Sequence, residues 1–330
     1  MRNIAVFTVL VIMLGGAQFI AAQEETPNES PYTFSVLTSF GIFLGQAEEI
    51  VYPPSEFKAN KLSQLLWDIK PVFYNSLSLD VSRTRPMEKW GFISALSMKI
   101  GFPGKSGKME DRDWMSIEND ALTNYSIHDN HTSELLIFDA SAGLSFPFNQ
   151  VLIKTYFAMS YMRFSFSGMD GYRIYAQPLG GGSYASIDDN PDYESLANRG
   201  KLINYTQNWL TAAQGVSLAV FFNHFYSEFF FSMGPVIFCI DVDEHLAKNT
   251  VYKDYMYGGV FIEPGFRFSF IANRRLEFSS DFSWRYMGGT RGATWVGSPI
   301  GTPDMTQDGE AGAGLSLFNI GLSMKVYLRH

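Results

Sequence analysis

Two short motifs, Asp111-Arg112-Asp113 and Asp243-Glu244-His245, hold the side chains best suited to chemistry in this chain. Brought together, three carboxylates and an imidazole suffice for general-base hydrolysis without a metal or a covalent nucleophile. Each motif alone also has an ordinary reading, because Asp favours turns. At the end of a strand, alternation puts Asp243 and His245 on one face and Glu244 on the other. Asp243 can then orient the imidazole and stabilise its protonated form, leaving the other ring nitrogen to take a proton from water. Asp111, Asp113, Asp243 and His245 are therefore the candidate catalytic set. Three carboxylates and one His also make a ligand set for a divalent cation, a reading that chelator treatment would separate from metal-free hydrolysis.

Whether the two motifs meet depends on the elements that carry them. The chain opens with Arg2, an apolar run over 4–14 and small residues ending at Ala21-Ala22. This is the pattern of a secretory signal peptide over 1–22, which leaves 23–330 as the mature chain. The run is too short to span a bilayer, and no later segment reaches the roughly 20 apolar residues of a membrane helix. Cys239 is the only thiol, so no intrachain disulfide holds the fold. Aromatics are 16% of the residues and charged residues only 18%, with 29 Gly and mean hydropathy near zero. Exported, aromatic and without a membrane helix, the chain reads as an all-β antiparallel transmembrane barrel, which hides its hydrophobicity by alternation. A net charge of −8 argues against nucleic acid as a partner and favours attraction of basic polypeptides.

Ten segments alternate apolar and polar residues: 33–48, 62–80, 90–102, 134–146, 151–165, 202–222, 228–240, 251–270, 275–286 and 312–328. Phe278-Ser279-Ser280-Asp281-Phe282-Ser283-Trp284 is the clearest, with one aromatic face and one polar face. The connections at 147–150, 223–227 and 272–274 are short, and those at 103–133, 167–201 and 287–311 are long and rich in Gly, Asp and Asn. Tight periplasmic turns alternating with long external loops are the habit of outer-membrane barrels. The first motif then lies in the loop after the third strand and the second in the loop after the seventh. Both follow odd-numbered strands, so both sit on one rim, nearly opposite each other in a ring of ten.

With the motifs so placed, the sequence resembles the omptin family of outer-membrane aspartyl-histidyl proteases. The stretch Gly107-Lys108-Met109-Glu110-Asp111-Arg112-Asp113-Trp114-Met115 is similar to the family's first catalytic segment, and Asp241-Val242-Asp243-Glu244-His245 to its second. Lys61-Leu62-Ser63-Gln64-Leu65-Leu66-Trp67 resembles its second-strand signature, and 45–52 the end of its first strand. The resemblance implies that Asp243 and His245 activate water while Asp111 and Asp113 hold the water or the developing oxyanion. It implies a specificity pocket lined by Glu49 and Asp241, hence cleavage of exposed polypeptides after Arg or Lys, at the cell outer membrane with the active site facing the exterior. No cofactor is implied for the chemistry itself, and a lipid activator such as lipopolysaccharide is implied on the barrel's outer wall.

The chain departs from the family in three places. Asn124 stands where an acid favours a basic residue after the scissile bond, so it is a substrate-binding candidate of altered preference. Arg163 matches one lipid-binding position, but its partner positions hold Tyr161 and Asn208. The last strand ends in Leu328-Arg329-His330 rather than in Phe. His128 lies near a family His and is a candidate for a supporting role. A non-catalytic barrel acting as pore or adhesin is the alternative function, and ion conductance in planar bilayers would reveal the pore.

Overall fold

Alternating apolar and polar residues can satisfy lipid on one side and a filled interior on the other only if every backbone group is paired and the sheet has no edge. The chain achieves this by closing a ring. The computed structural model describes residues 32–83, 90–189, 191–298, 304–305 and 310–328. Its strands begin with β1 (Tyr32–Val51), β2 (Ser63–Arg83), β3 (Gly91–Gly101), β4 (Gly104–Asp113), β5 (Asn124–Phe148) and β6 (Val151–Tyr175). Three short strands follow: β7 (Pro178–Gly180), β8 (Ser183–Tyr184) and β9 (Asp192–Ser195). The rest are β10 (Lys201–Phe222), β11 (Phe225–His245), β12 (Thr250–Tyr257), β13 (Val260–Asn273), β14 (Leu276–Gly288), β15 (Arg291–Gly297), β16 (Asp304–Met305) and β17 (Ala311–Tyr327).

Three pairs of these are single through-going strands with a break. β3 and β4 pair in succession with β2 and β5, and are interrupted at Phe102-Pro103, where Pro has no N–H to give. β13 and β12 both pair with β11 and are separated by Gly258-Gly259, whose φ angles are 70 and 89°. β14 and β15 are separated by Gly289-Thr290. So counted, ten strands run in chain order around the ring, each antiparallel to the next, and β17 closes on β1 from Ser35↔Tyr327 to Val51↔Ala311. This is the expected ten-stranded antiparallel barrel.

The strands are longer than the alternation indicated. β5 and β6 have 25 residues each. At about 3.3 Å per residue and a tilt of ~45°, such a strand rises roughly 55 Å, about twice the ~25 Å apolar band of an outer-membrane barrel. Much of what reads as loop at 103–133, 167–201 and 287–311 is strand: β4, the start of β5, the end of β6 and β15. Beyond the bilayer neither face meets lipid, so the period-2 signal that marks a strand fades there. The expected signal peptide at 1–22, residues 84–89 and the final two residues lie outside the described residues.

Phe40, Phe73, Leu79, Phe157, Phe229 and Leu322 project outward from the half of the barrel nearer the chain ends. Inside that half, ion pairs fill the lumen: Arg285 with Asp139 and Glu263, Lys154 with Glu228, Arg267 with Asp281 and Lys325 with Asp80. Above them lies an aromatic layer. Trp67 stacks on Tyr205 at 5.3 Å and on Phe166 at 5.7 Å, with Trp209, Met109 and Met162 packed around them. That layer is the floor of the upper lumen.

Candidate active site

Each candidate side chain sits near the upper end of a strand and points inward because of its parity with the buried layer. On β11, Asp241 and Asp243 share the inward face with Cys239, while Glu244 faces outward and accepts from Asn204 Nδ2. On β4, Asp111 follows Met109 on the inward face. Both motifs therefore lie on strand ends rather than in the loops that the sequence suggested, and backbone ladders on both sides fix them. Asp111 is opposite Leu65 and Ser126, Asp113 opposite Ser63 and Asn124, Asp243 opposite Tyr205 and Tyr252. The two motifs occupy one rim, as strand parity implied.

His245 Nε2 lies 2.6 Å from Asp243 Oδ2, and the Tyr252 ring stands edge-on to the imidazole at 5.4 Å. With Nε2 facing the carboxylate, Nδ1 is the nitrogen left to exchange a proton. Across the mouth, burial pushes the Asp111 carboxyl well above the usual carboxylate range, and the charges of Asp113 and Asp243 push the same way. Asp113 is also raised by burial, but Ser63 and Asn124, donating to it, and the Lys248 charge pull it back. Asn124 Nδ2 donates to Asp113 Oδ2 at 3.1 Å, and Ser63 Oγ reaches Asp111 Oδ1 at 3.5 Å. A proton shared by the pair therefore sits better on Asp111. Asp243 adds to the field at Asp111, and His245 to that at Asp113, so the opposing pairs are within electrostatic reach.

Glu49, from β1, and Asp241 lie below these pairs, 4% and 1% exposed. Asp241 Oδ2 accepts from Tyr205 Oη at 2.9 Å, and Gln207 Nε2 donates to that same Tyr205 oxygen at 2.7 Å. The Tyr205 hydroxyl keeps its proton, because burial and the nearby carboxylates hold its pKa well above the usual phenol range. Glu49 is raised by burial first, then by Asp243, Asp241, Asp254 and Asp111. Among the described residues no Lys or Arg forms an ion pair with Glu49 or Asp241. An acid pair buried without a cation is costly in its charged form, and both carboxyls hold their protons more tightly than usual.

The other candidates fall around this centre. His128 is 3% exposed; its Nδ1–H donates to the Asp170 carbonyl at 2.6 Å, so Nε2 accepts from Ser126 Oγ at 3.0 Å. Burial holds this His below its ordinary pKa. Its carbonyl partner depends on Gly171, at φ 101°, where a Cβ would fall 1.9 Å from the Ile127 carbonyl oxygen. Arg163 stands on the outer wall, donating to Glu134 and to Asn208 Oδ1, which also accepts from Tyr161 Oη. Cys239 is fully buried and inert by its surroundings. Among the described residues no three His, Cys, Asp or Glu side chains are grouped so as to hold a metal ion. Sequence reasoning missed Asp254, Ser63 and Tyr205. Ser63 lay within a quoted signature, whereas Asp254 becomes visible only through its register with Asp241.

Comparison with known proteins agrees with this fold. Residues 30–326 match the model of the Omptin family. The plasminogen activator of Yersinia pestis is 24% identical over 311 residues, covering 88% of this chain and 89% of that protein. The crystal structure of the outer membrane protease OmpT from Escherichia coli superposes with a TM-score of 0.77 at 20% identity, covering 92% of this chain and 99% of the other.

Proposed function

The chain belongs to the omptin family, whose relatives are outer-membrane proteases, and from that premise we propose that it is an endopeptidase that cleaves exposed polypeptides after Arg or Lys. The observation that carries the reading is the Asp243–His245 pair at 2.6 Å on the same rim as Asp111 and Asp113, above the buried acids Glu49 and Asp241. In the proposed reaction, His245 Nδ1 takes a proton from water as the water attacks the scissile carbonyl carbon. Asp243 stabilises the imidazolium that forms. The tetrahedral oxyanion accepts a hydrogen bond from Asp111, which burial keeps protonated, while ionised Asp113 orients the water. The imidazolium then gives its proton to the leaving amine as the C–N bond breaks; the carboxylic acid so formed passes its remaining proton to the amine, and a carboxylate and an ammonium leave.

Specificity in this reading comes from Glu49 and Asp241, which accept the guanidinium or ammonium of the residue before the cut bond. The rim opposite the chain ends faces the exterior, so the substrates are extracellular.

Replacing Asp243 or His245 by Ala should lower cleavage of an Arg-containing peptide by at least about 10²-fold, the scale of general-base catalysis. Heat-modifiable migration of the folded barrel should persist in both variants. Assay on intact cells tests the outward orientation at the same time. Full activity in either variant, or activity that appears only after permeabilisation, overturns the corresponding part of the proposal.

A further inference from the structure

In the lower lumen, buried acids meet Arg285, Arg267, Lys154 and Lys325. The upper lumen holds a third unmatched acid beside Glu49 and Asp241. Asp254, on β12, lies directly opposite Asp241 in the β11–β12 register and is 1% exposed. Among the described residues it has no Lys or Arg partner. Glu49 Oε2 and Asp254 Oδ1 are both buried without a hydrogen-bond donor. Two acceptors left bare in one water-poor volume are costly unless a donor arrives.

We propose that Asp254 is a third, specificity-determining carboxylate of the pocket, acting with Glu49 and Asp241 on the guanidinium of an arginine substrate. The inference rests on the proposed cleavage after basic residues. A guanidinium carries five N–H donors in a planar fork and an ammonium carries three. Asp241 already spends one oxygen on Tyr205, so a third carboxylate supplies acceptors that Arg can fill and Lys largely cannot. Asp254 therefore raises the preference for Arg over Lys.

Charge balance adds a consequence. One substrate cation cannot neutralise three carboxylates, so the empty pocket holds protons and the filled one holds fewer. Asp254 is pushed up to about 6, chiefly by burial, with Asp243 and Glu310 adding to it and Thr294 and Asp241 opposing. Asp241 is raised further by Asp254 itself. The other groups facing this volume are Glu49 from β1, Cys239 from β11 and Tyr205 from β10, none of them cationic. Entry of a guanidinium near pH 6 must then release a proton to solvent.

The test compares wild type, Asp254→Asn and Asp254→Glu, refolded as full barrels, on peptides that differ only in Arg or Lys before the cut bond. Asp254→Asn should lose roughly tenfold to a hundredfold in kcat/KM on the Arg peptide, the worth of one charge-assisted hydrogen bond. The loss should fall on KM, with kcat little changed, and the Lys peptide should lose only a few-fold. Asp254→Glu should recover most of the Arg preference. Separately, titrating acetyl-arginine amide into the His245→Ala barrel at pH 6, in buffers of different ionisation enthalpy, should show about one proton released per site. An unchanged Arg-to-Lys ratio in Asp254→Asn overturns the inference while leaving cleavage after basic residues intact. If Asp254→Asn does not fold, the absence of proton release in the Asp254-containing barrel overturns it instead. A wild type that neither cleaves basic peptides nor binds arginine amide takes down both readings together.

Discussion

Asn124 stands where the family resemblance places an acid, and its amide donates to Asp113 Oδ2 at 3.1 Å. A neutral donor there does what an acid would undo: it favours the ionised form of Asp113 and so leaves the shared proton on Asp111. Removing it in Asn124→Ala should raise the pKa of Asp113. The acidic limb of the kcat/KM profile should then move to higher pH, with activity near neutrality falling roughly tenfold for a hydrogen bond lost to a charged group. A limb that stays in place would show that Asp113 does not need its charge. At this scale most of the candidate site was legible in the sequence, because Asp111, Asp113, Asp243 and His245 sit in compact motifs. Asp254 was not. It lies in Tyr252-Lys253-Asp254-Tyr255, a segment with no motif, and only its cross-strand partner gives it meaning.

The break between β14 and β15 shows how an element supports the site from a distance. Thr290 is buried there, and its hydroxyl donates to the Ala313 carbonyl at 3.1 Å while accepting from the Ala313 N–H at 3.0 Å. One side chain thus replaces the ladder where the strand is interrupted. Ala313 is in turn the register partner of Glu49 on β1, so the same contact holds the back wall of the pocket. Thr290→Val keeps the shape and leaves both Ala313 groups unpaired, which should cost about 1–3 kcal/mol. A lower Tm of the refolded barrel and a higher KM for Arg peptides are expected; an unchanged Tm would show that the strand break needs no bridge. The ten strands themselves were legible wherever one face meets lipid. The upper extensions at β4, the start of β5, the end of β6 and β15 were not, because between solvent and a polar lumen the alternation carries little hydrophobic contrast, and Gly289-Thr290 mimics the end of a strand; 251–270, by contrast, reads through Gly258-Gly259 as one segment.

The whole molecule divides its interior into a charge-paired lower half and an acid-rich upper half. In the upper half Asp254, Asp241, Glu49 and Asp111 all bind their protons more tightly in the folded barrel than in an unfolded chain. The stability this protonation gives is fully present below about pH 4, the unfolded carboxylate range, and is lost as pH rises through the folded values, about 6 for Asp254. His128, lowered by burial, works in the opposite sense but is one group against these four and Asp113. The Tm should therefore rise as pH falls from 7 to 5, and Asp254→Asn should flatten that slope and raise the Tm at pH 7. A Tm that falls on acidification over this range would contradict the picture. Destabilising acids kept at the mouth are the cost that the proposed recognition of a basic side chain carries.

The seam between β1 and β17 has a bearing on the life history of the protein. Glu49 is carried by the first strand, Asp111 by the third of the ring and Asp241, Asp243 and His245 by the seventh, so the groups of the proposed centre are spread from residue 49 to residue 245. The pocket acquires its wall only when the last strand zips onto the first, from Ser35↔Tyr327 to Val51↔Ala311. On the proposed function, topology does the work of an inhibitory propeptide: the candidate catalytic groups stay dispersed along the chain and come together only as the barrel seals.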